Sequence, residues 1–161
     1  MVVIVMGVSG SGKTTVAREL AQHLGWNFLD ADSFHSANNV AKMQAGIPLD
    51  DADRAPWLAS LRAAIEQALA ENRDLALACS ALKRSYREQL LVNSQVKLVY
   101  LKGSPEVLRQ RLQQRTGHFM TEQLLDSQLR SLEEPSDAIT ADIQLPLPGI
   151  IAEILSQLGL G

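Results

Sequence analysis

Val2 to Met6 is an unbroken apolar run that leads straight into Gly7-Val8-Ser9-Gly10-Ser11-Gly12-Lys13-Thr14, with Thr15 following. Those eight residues fit G-x-x-x-x-G-K-[ST], the phosphate-binding P-loop. Beyond them Val16, Leu20 and Leu24 recur every four residues with Ala17 and Ala21 alongside, the spacing of an apolar helix face. A buried strand, a glycine loop and a helix in that order point to a parallel α/β sheet with its ligand loop at the carboxyl end of a strand. Glycines let main-chain N–H groups close on phosphate oxygens, and a helix N-terminus adds unpaired N–H groups and a favourable dipole. Lys13 is placed to reach the β- and γ-phosphates, and the Thr14 hydroxyl to sit on Mg²⁺.

The rest of the chain keeps the alternation. Trp26 to Leu29 follows Gly25 and leads to Asp30; Leu75 to Cys79 and Val96 to Leu101 read as buried strands, and Ala141 to Ile143 as a weaker fifth. Between them Trp57, Leu58, Leu61, Ile65, Ala68 and Leu69 share a helix face, and Ser104-Pro105-Glu106 is a helix start. Arg54 precedes Pro56-Trp57, which is expected to fix the beginning of the long helix. Leu124, Leu125, Leu129 and Leu132 form one later stripe, and Ile150, Ile151, Ile154, Leu155 and Leu158 the last. The pattern predicts one domain over residues 1–161, an α/β/α three-layer fold with a five-stranded parallel sheet.

Composition narrows the function. A net charge of −3 argues against a nucleic-acid or membrane-surface role. The single cysteine, Cys79, excludes an internal disulfide. No apolar run approaches bilayer length, and the first residues lack the basic start of a signal peptide, so the cytoplasm is the expected location.

In such sheets ligands lie beyond the carboxyl ends of the strands. Asp30-Ala31-Asp32 follows the second strand, and on an extended chain the two carboxylates point to one side. One can hold Mg²⁺ water while the other accepts the proton of a phosphoryl acceptor; the alternative is a helix cap or a solvated pair. Strand 3 ends in Cys79-Ser80, with no aspartate to hold a metal.

Longer strings narrow the reading further. They are Asp30-Ala31-Asp32-Ser33-Phe34-His35-Ser36, then Asn38, Lys42-Met43, Gly46-Ile47-Pro48-Leu49 and Asp51-Ala52-Asp53-Arg54-Ala55-Pro56-Trp57-Leu58. Ala78 to Arg87, Arg115-Thr116-Gly117-His118-Phe119-Met120, Ser127-Gln128 and Leu132-Glu133-Glu134-Pro135 belong with them. Together they resemble the gluconate kinases over nearly the whole chain. The resemblance implies a fold similar to shikimate and nucleoside-monophosphate kinases, with a five-stranded parallel sheet, a helical lid and a homodimer. It implies ATP- and Mg²⁺-dependent phosphorylation of the 6-hydroxyl of D-gluconate, giving 6-phospho-D-gluconate. Gly7, Val8, Ser9, Gly10, Ser11, Gly12, Lys13, Thr14, Thr15 and Arg111 then bind ATP. Asp30 serves the metal with Thr14, and Asp32 serves the acceptor hydroxyl.

A polyhydroxy acid needs a cation for its carboxylate and hydrogen-bonding groups for its hydroxyls. Arg54, Lys83 and Arg87 are the candidates for the carboxylate, with His35, Lys42 and His118 as further polar contacts. For each, the plainer reading is a surface cation or a packed loop residue. Arg109, Arg111 and Arg115 form a basic cluster, of which Arg111 and Arg115 share a face. Lid arginines either neutralise the phosphoryl group in transfer or stack on adenine, and Gln144 to Pro148 is a candidate loop beside the base. The expected catalytic set is Lys13, Asp32, Arg111 and Arg115. Two rival readings stand: a kinase for shikimate or another small hydroxy acid, and an ATP-binding regulatory module without phosphotransfer.

Overall fold

The computed structural model describes the backbone of residues 1–115 and 119–161 and the side chains of residues 1–114 and 123–161. Its elements run β1 (Val2–Met6), α1 (Lys13–Leu24), β2 (Asn27–Asp30), a 3₁₀ turn (Ala31–Phe34), α2 (Ala37–Gln44), α3 (Asp51–Ala70), β3 (Leu75–Ala78), α4 (Arg84–Leu90), β4 (Val96–Lys102), α5 (Pro105–Arg115), α6 (Phe119–Ser131), β5 (Ile139–Asp142) and α7 (Leu147–Leu158). The strands form one all-parallel sheet in the order β2-β3-β1-β4-β5.

The central strand explains the layers. β1 is buried along its whole length, pairing Val2 with Leu75 on one side and with Val96 on the other. Its side chains alternate between two cores. Val3 and Val5 join Val16, Ala17 and Leu20 of α1 and Ile150, Ile151 and Ile154 of α7. Val2, Ile4 and Met6 join Trp57, Leu58, Leu61 and Ile65 of α3 and Tyr86 and Leu90 of α4. A strand apolar on both faces is stable only when helices cover both, which is the α/β/α arrangement.

Several boundaries differ from the sequence expectation. The long helix starts at Asp51, not at Pro56. Asp50 Oδ1 accepts from Asp53 N at 2.7 Å and Asp53 Oδ2 accepts from Asp50 N at 3.1 Å, a reciprocal capping box that sets the start a turn earlier. Pro56 sits inside and forgoes one helical hydrogen bond. The helices α2 and α4 are short and carry no apolar stripe long enough to announce them. Asp32 is not on extended chain: Asp30 Oδ1 accepts from Asp32 N at 2.9 Å and folds the segment into the 3₁₀ turn. Ser104 does start α5, its Oγ accepting from Val107 N at 3.2 Å.

Candidate active site

The glycine loop joins the carboxyl end of the central strand to the first helix. Gly12 caps α1 in the left-handed region at φ 88°, and Gly10 has φ 85°, backbone that a side-chain-bearing residue adopts only with strain. No side chain caps α1, so its first N–H groups stay available to an anion. A Cβ on Gly7 would collide with the Ser11 hydroxyl. That hydroxyl is buried and has no hydrogen-bond partner among the described residues. Ser9 N donates to Gln128 Oε1 at 2.7 Å, so a carboxamide oxygen from α6 occupies one N–H of the loop.

Thr14 Oγ1 donates to Asp30 Oδ2 at 3.1 Å. Two hard oxygen donors side by side, one in the first turn of α1 and one at the end of β2, suit Mg²⁺, which prefers oxygen and keeps several waters. Among the described residues no group of three or more His, Cys, Asp or Glu side chains is placed to hold a metal ion. Arg111 crosses above the loop. Its Nη1 lies 3.5 Å from Gly10 O, and its Nη2 donates to Ile143 O, so it links the P-loop to the segment after β5.

A cavity of about 170 Å³ opens between the loop and the 3₁₀ turn. Lys13, Asp32, His35, Arg54, Ser80 and Gln128 supply its polar wall, and Ile47, Leu49, Trp57 and Leu82 part of its apolar wall. A larger hollow of about 750 Å³ lies beside β4 and β5 but contains no P-loop residue. Chemistry rather than size therefore identifies the site.

Arg54 is held by a chain of hydrogen bonds. Its Nη1 donates to Tyr86 Oη at 2.9 Å, and Tyr86 Oη donates to Asp51 Oδ1 at 2.5 Å. Lys83 Nζ donates to the same carboxylate oxygen at 2.9 Å. The Tyr86 hydroxyl, then Lys83, hold the Asp51 carboxyl below its ordinary range. Asp51 in turn raises Lys83, and burial raises Tyr86. His35 stacks on Trp57 with ring centroids 4.4 Å apart and planes 10° from parallel. Burial lowers its pKa against the pull of Asp32, and Arg54 adds to the lowering.

The fold thus brings Lys13, Asp32, His35 and Arg54 to one cavity, with Thr14 and Asp30 together and Arg111 over the loop. Three expected substrate cations are placed elsewhere. Arg87 is buried, donating through Nη1 to Ala81 O and Leu82 O and through Nη2 to Glu133 O at 2.8, 3.1 and 2.7 Å, so its guanidinium is committed to main chain. Lys83 is engaged by Asp51, and Lys42 by Asp53 at 2.9 Å; neither lines the cavity. Arg109 pairs with Asp126 at 3.0 Å. The Arg115 side chain, His118 and the middle of the expected lid lie outside the described residues. Sequence reasoning missed Tyr86, Asp51, Asn39 and the contact that Gln128 makes. All four stood inside or next to the strings that carried the resemblance, but no spacing marked them.

The AAA domain family matches residues 2–135. The gluconokinase of Gluconobacter oxydans is 51% identical over 135 residues, 83% of this chain and 76% of that protein. The thermoresistant gluconokinase of Escherichia coli is 41% identical over 163 residues, covering 98% and 93%. A crystal structure of a gluconokinase from Sinorhizobium meliloti superposes with TM-score 0.86 at 43% identity, covering 98% of this chain and 90% of that one. Shikimate kinase from Aquifex aeolicus, at 19% identity and TM-score 0.59 over 99% and 96%, shares the fold.

Proposed function

The chain belongs to the gluconokinase family and phosphorylates gluconate with ATP, and on that premise we propose how its residues do so. The acceptor is the 6-hydroxyl of D-gluconate. The observation that carries the reading is the single cavity that joins Lys13 of the P-loop to Asp32 and Arg54.

Arg54, preset by Tyr86 and Asp51, takes the sugar-acid carboxylate. That anchor puts the far end of the chain at Asp32. Asp32 accepts the hydroxyl proton as the oxygen forms its bond to the γ-phosphorus and the bond to the β-phosphate oxygen breaks, leaving ADP. Lys13 and Arg111 neutralise charge on the phosphates, and Arg115 belongs to the same role. Thr14 and Asp30 are the residues that would hold Mg²⁺, which supplies charge neutralisation on the phosphate oxygens when bound. His35 and His118 contact the sugar hydroxyls.

All 161 residues act as one kinase domain. None of the described helices is long and apolar enough to cross a membrane. A cytoplasmic location, a homodimer and the lack of nucleic-acid or membrane partners complete the reading; sedimentation would check the dimer.

ADP release from MgATP, coupled to a spectrophotometric signal across D-gluconate, shikimate, other aldonic acids, nucleoside monophosphates and no acceptor, tests the assignment. Turnover with D-gluconate, and its loss by roughly 10²- to 10⁴-fold in Asp32→Asn with ATP binding kept, is the expected result. Turnover on a different acceptor would overturn the substrate. Binding of ATP without any turnover would favour a regulatory module.

A further inference from the structure

Asn39 in α2 is only 4% exposed. Its Nδ2 lies 2.8 Å from Asp53 O and 3.2 Å from His35 Nδ1. A main-chain carbonyl can only accept, so the Asn39 atom facing Asp53 O is the NH₂ group and not the amide oxygen. The second hydrogen of that NH₂ then points at His35 Nδ1. An amide NH₂ only donates, so Nδ1 must carry the lone pair. In a neutral imidazole the proton is then on Nε2. The ring plane is fixed independently. His35 stacks on Trp57, and Trp57 is itself buried and tied down by its Nε1–H donating to Ala31 O at 2.7 Å.

We propose that Asn39 is a positioning residue that holds His35 as the Nε2–H tautomer, making it a one-way hydrogen-bond donor to an oxygen of the polyhydroxy acid. The inference rests on the functional reading above and extends it. Both the ring's orientation and its donor sense are set from behind, by groups that do not line the cavity except for Trp57. The substrate must therefore meet His35 with a lone pair, which a hydroxyl or carboxylate oxygen offers and a deoxy carbon does not. Burial of the ring favours the neutral form, against Asp32 and together with Arg54. Because the donor sense is fixed before binding, no ring flip or tautomer exchange is spent on the substrate.

The test starts from the full-length protein labelled with ¹⁵N. Long-range ¹H–¹⁵N spectra of the imidazoles at neutral pH, with His35 assigned by its loss in His35→Gln, read the tautomer directly. Protonated Nε2 with bare Nδ1 is expected. In Asn39→Asp the carboxylate cannot donate, and the His35 pattern should change to Nδ1–H or to the doubly protonated ring. The gluconate KM should rise about tenfold in His35→Phe, which keeps an aromatic ring on Trp57 but has no donor, and equally in Asn39→Asp where the spectra show the neutral Nδ1–H ring; a doubly protonated ring keeps its Nε2 donor and the wild-type KM. His35→Gln, whose amide donates, should recover most of that loss, with the KM for ATP within about twofold throughout.

A bare Nε2 in the wild-type protein, or a His35→Phe variant that binds gluconate like the wild type, would overturn the proposal. Should Asn39→Asp fail to fold, the wild-type tautomer read with the Phe and Gln variants of His35 still decides for or against the proposal. A wild-type protein that shows the expected tautomer yet turns over no gluconate would sink the functional reading, while the response of the ring to Asn39→Asp still judges the relay.

Discussion

Replacing Arg87 by methionine separates a structural arginine from a substrate-binding one. The methionine keeps most of the stem's apolar volume but strands three carbonyls, of Ala81, Leu82 and Glu133. Arg87 is 6% exposed, and the Ala81 and Leu82 contacts are buried, so water replaces those two poorly. Hydrogen bonds from a charged donor contribute ~1.5–3 kcal/mol each, and relief of the buried guanidinium's desolvation offsets part of the loss. The net destabilisation expected is about 2–3 kcal/mol. In a domain of this size that corresponds to a fall in Tm of roughly 4–12 °C. Urea unfolding followed by circular dichroism should show a lower midpoint with an unchanged slope. Gluconate kinetics measured well below the transition should keep KM within about twofold. An unmoved midpoint, or a folded variant whose gluconate KM rises more than tenfold, would refute the reasoning and return Arg87 to the substrate site.

Other perturbations probe the remaining parts. Tyr86→Phe removes the hydroxyl between Arg54 and Asp51, so the gluconate KM should rise roughly three- to tenfold with the ATP KM unchanged, as steady-state kinetics will read. Ser11→Ala removes a buried hydroxyl without a described partner and should leave stability unchanged or raise it by up to ~1 kcal/mol in urea melts. Lys42 holds the Asp53 carboxyl below its ordinary value of 3.8, so this contact's stabilisation is present above that pH and disappears as pH falls through the lower folded value. In Lys42→Met the acid limb of stability below about pH 4 should therefore be shallower than in the wild type, where an identical limb would count against the pair. Burial pushes the Cys79 thiol up to about 12, so a thiol reagent at neutral pH should label it only as fast as the chain unfolds.

The sheet and the nucleotide loop were legible because their signals are local and dense. Val2 to Met6, the three glycines and the Val16, Leu20 spacing state strand, turn and helix within a couple of dozen residues. The start of α3 was misread because Pro56 is a strong local cue, whereas the Asp50–Asp53 capping box relies on two ordinary aspartates. Of the residues that line the cavity, Lys13 and Asp32 were singled out because each follows a strand, and Arg54 because it precedes Pro56-Trp57. Arg87 and Lys83 carry the right charge, but their partners come from residues 133 and 51, far along the chain, and only the fold shows those cations already engaged. A like distance hid Tyr86, whose partners are Arg54 and Asp51. Asn39 has nearer partners in His35 and Asp53, but an amide takes its meaning from what it meets, and spacing does not say what that is.

The place of β1 in the sheet has a consequence for biosynthesis. Val2 to Met6 is made before both of its sheet neighbours and is the strand most completely enclosed, and Val2 finds its partners only at Leu75 and Val96. At roughly 5–20 residues per second, several seconds pass on the ribosome before either partner exists. Throughout that time five apolar residues wait unpaired on the growing chain. The ordering of distant strands around them is the slow, high-contact-order part of folding. The nucleotide cradle hangs from the end of that strand, so no N-terminal fragment shorter than β3 can present it in working form. The nascent chain is therefore unable to engage ATP until most of its sheet has been synthesised.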